Sequence, residues 1–124
     1  MSPRGTLPFF WPGPLIRQSY FDKDGAPTWC NYGYSEILYT YDAHNYCVME
    51  QLLNTQGRPA VHTSSQYSWL TREVDPDGRV LSIKYFDTNG NPALFGSQYA
   101  EARFAYDLAG RETAVRYYDR AGNL

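Results

Sequence analysis

The stretch "YFDTNGNP" at residues 85–92 decides the fold, because the chain repeats it. "YFDKDGAP" begins at Tyr20, "YYDRAGNL" at Tyr117, and a weaker copy, "LLNTQGRP", at Leu52. In each copy an Asp or Asn stands three residues before a Gly. The Asp or Asn side chain can accept a backbone N–H two residues on, and the Gly supplies the positive φ that closes a type I turn with a bulge. The stretch therefore predicts a tight turn between two strands.

The turn motif recurs with a fixed period. Gly25, Gly57, Gly90 and Gly122 lie 32 or 33 residues apart, and a second series interleaves with them. Seven turns are predicted in this way. Their first and fourth residues are Asp22 and Gly25, Asp42 and Asn45, Asn54 and Gly57, Asp75 and Gly78, Asp87 and Gly90, Asp107 and Gly110, and Asp119 and Gly122. Asn45 stands in place of the Gly in one turn, and Asn54 stands in place of the Asp in another. Asn tolerates positive φ, and its side chain can accept the backbone N–H as that of Asp does. Self-similarity of this kind is typical of a repeat protein.

Composition and periodicity together predict strands on both sides of the turns. The 124 residues include 12 Tyr, 6 Phe and 3 Trp, and aromatic residues of this kind favour strands. Hairpins are expected at 34–41 with 46–53, at 67–74 with 79–86, and at 99–106 with 111–118. Because a single hairpin cannot bury its apolar face, neighbouring hairpins must stack. We therefore predict an all-β fold in which antiparallel hairpin repeats of 32–33 residues stack into a curved sheet or β-spiral.

The chain divides into two parts on composition. Residues 1–17, with Phe9, Phe10, Trp11 and Leu15, are rich in Pro and aromatic residues and are expected to cap the open end of the first unit. Residues 18–124 form the repeat domain, with three complete units and incomplete ones at its ends. The first 17 residues contain no continuous apolar region and no small-residue cleavage site, so they do not predict a signal peptide.

The alternating spacing of 20 or 21 and 12 residues resembles that of the tyrosine-rich YD repeats of bacterial proteins, which are relatives of the RHS repeats. The resemblance covers residues 18–124 and is clearest in "FAYDLAGRETAVRYYDRAGN" at 104–123. It implies a β-sheet spiral that makes shells, spacers or surface structures, with any enzyme activity in appended domains. "YFDKDGAPTW" and "YFDTNGNPAL" also resemble glucan- and choline-binding cell-wall repeats, which use aromatics to bind their ligands. Those repeats run at about 20 residues with a "GW" step, so the first resemblance is favoured.

The sequence does not predict an enzyme, a metal site or a cofactor. His44 lies inside a predicted turn and His62 on a short strand, and neither stands beside a repeated carboxylate or nucleophile. Cys30 and Cys47 do not have the spacing of a zinc finger, and whether they form a disulfide is left open. "DKDG" and "DPDG" resemble fragments of calcium loops but lack the distal carboxylate, so we expect these acids to cap turns.

The aromatic side chains have two interpretations. Tyr41, Phe86, Tyr106 and Tyr118, just before the turns, are expected to pack unit against unit as the core. The candidates for contact with a ligand or partner are Trp29, Tyr32, Tyr34, Trp69 and Tyr99. Trp69 stands out because the corresponding positions hold Glu36 and Glu101, so it is either packed locally or exposed for contact.

We therefore expect a non-enzymatic structural or binding module of a bacterial surface, secreted or toxin-associated protein. One alternative is a module that binds cell-wall glycan, and another is a protomer that assembles into fibres or shells. The expected partners are other copies of the repeat, the rest of a larger parent protein, or a glycan or protein ligand. The formal charge of −2 argues against a nucleic-acid partner, and no apolar run predicts a membrane span. An extracellular or cell-surface location is favoured.

Overall fold

The computed structural model of the protein describes residues 15–124, all of whose regular structure is β. The seven strands are β1 (Leu15–Ser19), β2 (Glu36–Tyr41), β3 (Cys47–Leu53), β4 (Trp69–Val74), β5 (Val80–Phe86), β6 (Glu101–Tyr106) and β7 (Glu112–Tyr118). Each strand pairs antiparallel with the next along the chain, so the sheet order is β1 to β7. Over this range the chain forms no helix. The all-β prediction is confirmed. Phe9, Phe10 and Trp11 of the expected cap lie outside the described residues.

Three two-stranded hairpins, β2–β3, β4–β5 and β6–β7, make up most of the sheet. Their strands begin at Glu36, Trp69 and Glu101, two residues later than the predicted hairpins. The residues immediately before these starts belong to the long connections, which leave the plane of the sheet. Each hairpin has a register shift one residue before its turn, for example between Thr40 and Tyr41. The expected boundary between residues 17 and 18 falls inside β1, which pairs with β2 along its whole length.

The seven turns share one geometry. In each, the side-chain oxygen of the first residue accepts two backbone N–H groups, from the residues two and four positions later, at 2.8–3.0 Å. The fourth residue has a φ between 66° and 89° in every turn, including Asn45. Its N–H also donates to the carbonyl of the first residue, at 3.0–3.2 Å. Because these bonds are local, each turn satisfies its own backbone donors without help from the rest of the sheet.

The core lies on one face of the sheet, where the long connections fold back over the strands. Ile37 and Leu52 are register partners on β2 and β3, and both are buried with Tyr34 and Ala60 of the connections. The corresponding pair on β4 and β5 is Leu70 and Tyr85. Farther along, the buried residues are Ala93, Ala100 and Ala102. We call this side of the sheet the covered face.

The predicted core aromatics do not form this core. Tyr41, Phe86, Tyr106 and Tyr118 are half-buried, whereas Tyr85 is only 7% exposed. Successive side chains of a strand point to opposite faces, so the neighbours Tyr85 and Phe86 cannot both lie under the connections. The connections cover the face that carries Tyr85, so Phe86 and Tyr118, the register partners of Trp69 and Glu101, lie on the opposite face. Tyr41 and Tyr106 share a face with Ile37 and Ala102 but lie at the turn ends of their strands, where they are only half-buried, so the core prediction was wrong.

Candidate functional site

A row of aromatic rings crosses the covered face from one hairpin to the next. In order it consists of Tyr20, Tyr34, His62, Tyr67, Tyr85, Tyr99 and Tyr117, which we call the aromatic ladder. Successive ring centroids are 4.5–6.1 Å apart, within the range of favourable aromatic contacts. Phe95 packs 4.7 Å from the Tyr85 ring and reinforces the middle of the ladder. The ladder links the hairpins through side chains, in addition to the backbone pairing.

His62 fills a gap in this ladder. The copy that begins at Leu52 places an aliphatic side chain where the others have Tyr20, Tyr85 or Tyr117. The His62 ring stacks instead on Tyr67, at 5.6 Å and 10°. Sequence reasoning missed this role, because the corresponding positions hold Cys30 and Phe95, so no histidine is repeated there.

Both hydrogen bonding and burial favour the neutral form of His62. Its Nδ1 accepts the backbone N–H groups of Ser64 and Ser65, at 3.2 and 3.0 Å. Burial lowers the pKa of His62 below its ordinary value. A neutral ring that accepts two backbone bonds and stacks between tyrosines serves the structure of the connection.

The predicted contact residues separate into two groups. Tyr34 is 8% exposed and lies in the ladder, so it belongs to the core and not to a contact surface. Tyr99 is half-buried in the same ladder. Trp29 and Tyr32 are 53% and 51% exposed, and they belong to one connection. The Tyr32 ring stacks on His62 at 4.8 Å, so only its outer face is free.

Trp69 lies on the other side of the sheet, which we call the open face. Its ring stacks on Phe86, at 5.5 Å and 25°. A Cβ added to Gly90 would stand 3.5 Å from a carbon of the indole, so the ring also covers the turn that begins at Asp87. Trp69 is therefore packed locally between its hairpin partner and the next turn.

Two grooves of the open face correspond to the place that Trp69 fills. One is lined by Tyr20, Phe21, Pro27, Glu36, Asn54 and Gly57 and has a volume of about 330 Å³. The other is lined by Tyr85, Phe86, Pro92, Glu101, Asp119 and Gly122 and has a volume of about 230 Å³. Each residue named in the first groove lies 65 positions before its counterpart in the second. The two grooves are thus lined by residues with the same offset of 65 positions, and we call them the first and third grooves.

Each groove is lined by a glutamate that forms an ion pair with a neighbouring arginine. Glu36 accepts a bond from the Ser19 hydroxyl at 3.0 Å and lies 2.9 Å from Nε of Arg17. In the third groove, Oε2 of Glu101 accepts a bond from Nε of Arg103 at 2.6 Å. Lys84 and Arg120 also line the third groove. An ionised carboxylate has about four acceptor positions, so each Glu retains capacity for a further donor.

The cysteines and acidic residues do not assemble into a metal site. Cys30 and Cys47 are both free thiols. Burial raises the pKa of the Cys47 thiol, the nearby Glu50 adds to this effect, and Arg72 opposes it. Glu50 and Arg72 form an ion pair with an N–O distance of 2.7 Å. Among residues 15–124 no group of three or more His, Cys, Asp or Glu side chains could hold a metal ion.

The hairpin ends also contact one another from unit to unit. A Cβ added to Gly78 would lie 3.1 Å from the Tyr46 ring of the preceding hairpin. At the turn of the next hairpin, a Cβ added to Gly110 would lie 3.4 Å from a guanidinium nitrogen of Arg79. Arg111 occupies the corresponding place on the last hairpin, and its side chain is 80% exposed. Within the described residues, β7 pairs on one side only.

Comparison with known proteins adds no relative to these observations, since no family model, curated protein or solved structure matches the chain. In the part of the chain that the structure covers, no helix is long and apolar enough to cross a membrane.

Proposed function

We propose that this chain is a non-enzymatic β-repeat module, related to the YD and RHS repeats, that serves as a structural or binding part of a bacterial surface, secreted or toxin-associated protein. The observation that carries the proposal is the shared geometry of the seven turns, which follow one another at the spacing of the sequence repeat. A chain built from equivalent hairpins extends a surface by repetition, which suits a spacer, a shell or a scaffold.

The contacts between hairpins support this role. Side chains of one unit cover the turn glycine of the next, as Tyr46 does at Gly78 and Arg79 at Gly110. The aromatic ladder also continues from hairpin to hairpin, on the covered face. In a repeat architecture of this kind stability comes from each unit and its nearest neighbours.

Removal of one whole unit tests the proposal. Deletion of residues 54–86 joins Leu53 to Asp87, which the repeat makes equivalent to the deleted Asn54. We expect a shorter sheet that still folds, with a lower thermal midpoint, because the remaining hairpins meet through the same contacts. Circular dichroism and thermal unfolding measure this outcome.

The matched control removes fewer residues out of phase with the repeat. Deletion of residues 54–78 joins Leu53 to Arg79 and destroys both the turn and the register. We expect this variant to unfold or aggregate. If both deletions unfold the chain equally, the units are not interchangeable and the module proposal fails.

A second candidate, binding of cell-wall glycan, is favoured by the exposed rings of Trp29 and Tyr32. Aromatic faces of this kind can stack on the apolar face of a sugar ring. A glycan array compares the parent chain with Trp29→Ala and Tyr32→Ala. Loss of a specific signal in either variant supports this candidate, and the absence of any glycan signal from the parent rejects it.

A further inference from the structure

The middle repeat reveals what kind of group the open-face grooves accommodate. Trp69 stands at the position of Glu36 and Glu101, and its indole lies between Phe86 and the turn at Gly90. At Gly57 and Gly122, the corresponding turn glycines, an added Cβ would meet no atom within 4 Å. An aromatic ring therefore covers the turn glycine in the middle unit, and the turn glycines of the other two units are left uncovered. In the third unit the residue that corresponds to Phe86 is Tyr118, and the Arg103 guanidinium lies 4.5 Å over its ring.

The walls of the third groove suit a flat ring. Phe86 and Pro92 provide apolar contacts on one side, and the turn from Asp119 to Gly122 forms the opposite wall. Gly122 has no side chain, so a ring can approach the turn backbone as closely as Trp69 approaches Gly90. The groove has a volume of about 230 Å³ and is open to water, which a bound ring would displace.

The charges of the third groove favour an indole over a plain phenyl ring. The Glu101 side chain is only 14% exposed, and one of its oxygens is engaged by Arg103. The other oxygen of this carboxylate can accept a hydrogen bond from the N–H of an indole. Lys84 and Arg120 place cations along the same groove, and cations interact more strongly with Trp than with Tyr or Phe rings.

We propose that the third groove binds a tryptophan side chain of a partner polypeptide, whose ring covers Gly122 as the Trp69 ring covers Gly90 in the middle repeat. The ring would stack beside Phe86 and over Gly122, and its N–H would donate to Glu101. This assignment deepens the binding role proposed above and rests on it. The two proposals can be tested separately. If the chain tolerates removal of a unit but the groove binds no peptide, the repeat module stands and only the tryptophan site is rejected.

Titration with a short peptide tests the assignment. The probe is acetyl-Gly-Trp-Gly-amide, added up to millimolar concentration to ¹⁵N-labelled full chain. A single side chain contributes little affinity, so we expect a Kd on the order of 1 mM. The expected result is a saturable shift of the backbone amide signals of Gly122 and Glu101. Acetyl-Gly-Ala-Gly-amide is expected to leave these signals unchanged.

Two substitutions change the groove itself. Glu101→Trp fills it from within, as Trp69 does in the middle unit, and is expected to weaken binding of the probe at Gly122 at least about tenfold. Trp69→Glu empties the middle position and is expected to create a new saturable shift at Gly90. Because Trp69→Glu also removes a packed ring, its fold is checked by circular dichroism before the titration.

Glu73→Trp is the matched control. Glu73 is an exposed residue of β4 that lines neither groove, so the same change of side chain is expected to leave the titration at Gly122 unaltered. The proposal is overturned if the parent shows no saturable shift, or if Glu101→Trp binds the probe as well as the parent does. Saturable binding of a methyl pyranoside at Gly122, without binding of the tryptophan peptide, also overturns it in favour of a sugar site.

Discussion

At the scale of single residues, the turns show why Asp and Asn begin the motif and Gly ends it. One side-chain oxygen accepts two N–H groups, as at Asp119, where Ala121 and Asn123 donate at 2.9 and 2.8 Å. These backbone bonds, with that of Asn123 the largest cause, lower the pKa of the Asp119 carboxyl. Asn54 makes the same two bonds without a charge. Acceptance of hydrogen bonds, and not charge, is therefore the property that the turn requires.

Two turn glycines of similar φ differ in their neighbours and provide a matched pair for mutation. An alanine at either Gly57 or Gly78 must adopt positive φ, which costs about 1–2 kcal/mol. The added methyl group has open space at position 57 but lies 3.1 Å from the Tyr46 ring at position 78. We expect Gly78→Ala to lose about 1 kcal/mol more stability than Gly57→Ala, because the ring must move. Urea unfolding of both variants measures the difference, and equal losses would mean that Tyr46 does not pack on this turn.

His62 should make the stability of the chain depend on pH near neutrality. Its pKa in the folded protein is lowered by burial, so the unfolded chain binds more protons as the solution is acidified. The stabilisation is complete above the ordinary pKa of about 6.5 and is lost as the pH falls through that value towards the folded-state pKa. We expect the thermal midpoint to fall between about pH 7.5 and 5.5, and His62→Phe to remove much of this fall.

His44→Phe is the control for this measurement, since His44 is exposed in a turn and is expected to leave the pH dependence in place. If His62→Phe retains the full pH dependence of the parent, another group is responsible and the neutral stacked ring is not the cause.

At the scale of the elements, the strands show how one residue of register separates core from surface. Tyr85 and Phe86 are neighbours, both aromatic, at the end of β5. Tyr85 contacts Tyr67, Phe95 and Tyr99 on the covered face. On the open face, Phe86 has Trp69 as its aromatic neighbour. The periodicity of the sequence predicted both strands but could not tell which face the connections would cover, because both faces carry aromatic residues.

Alanine substitutions at these two neighbours should therefore have different effects. Tyr85→Ala removes a ring that is 7% exposed and is expected to cost about 3–5 kcal/mol. Phe86→Ala removes a half-buried ring and is expected to cost about 1–2 kcal/mol. Denaturant unfolding compares the two variants, since a change in the midpoint at an unchanged m-value reports a change in stability. A larger loss for Phe86→Ala would place the main core on the open face and contradict the structure.

At the scale of the whole molecule, the last described strand presents an edge. Within the described residues β7 pairs only with β6, so its other side presents unpaired backbone groups, and Glu112, Thr113 and Arg116 of this strand are exposed. An unpaired strand edge is a template for another strand, and a second copy of β7 can pair with it antiparallel. Arg111 and Tyr117, 80% and 49% exposed, stand beside this edge at positions that contact the next hairpin elsewhere in the chain.

We accordingly expect the mass of the chain in solution to increase with concentration. Light scattering after size-exclusion chromatography, over the micromolar to millimolar range, measures this. Thr113→Lys adds a charge to the edge and is expected to hold the chain at the mass of a monomer. A mass that is constant for the parent across the whole range would reject the fibre and shell alternative and leave the spacer and ligand-binding roles.

The sequence by itself determined the turns, the strands between them and their order. It did so because each Asx–Gly turn is held by hydrogen bonds within five consecutive residues, as from Asp87 to Asn91, and needs no distant partner. The tertiary structure alone decided which aromatic side chains are buried. It placed Tyr34 in the core and His62 where the ladder lacks a tyrosine. Only the folded chain also reveals that Trp69 fills a groove that Glu36 and Glu101 leave open. These features depend on which face the connections cover, and that choice results from contacts between residues far apart in the chain.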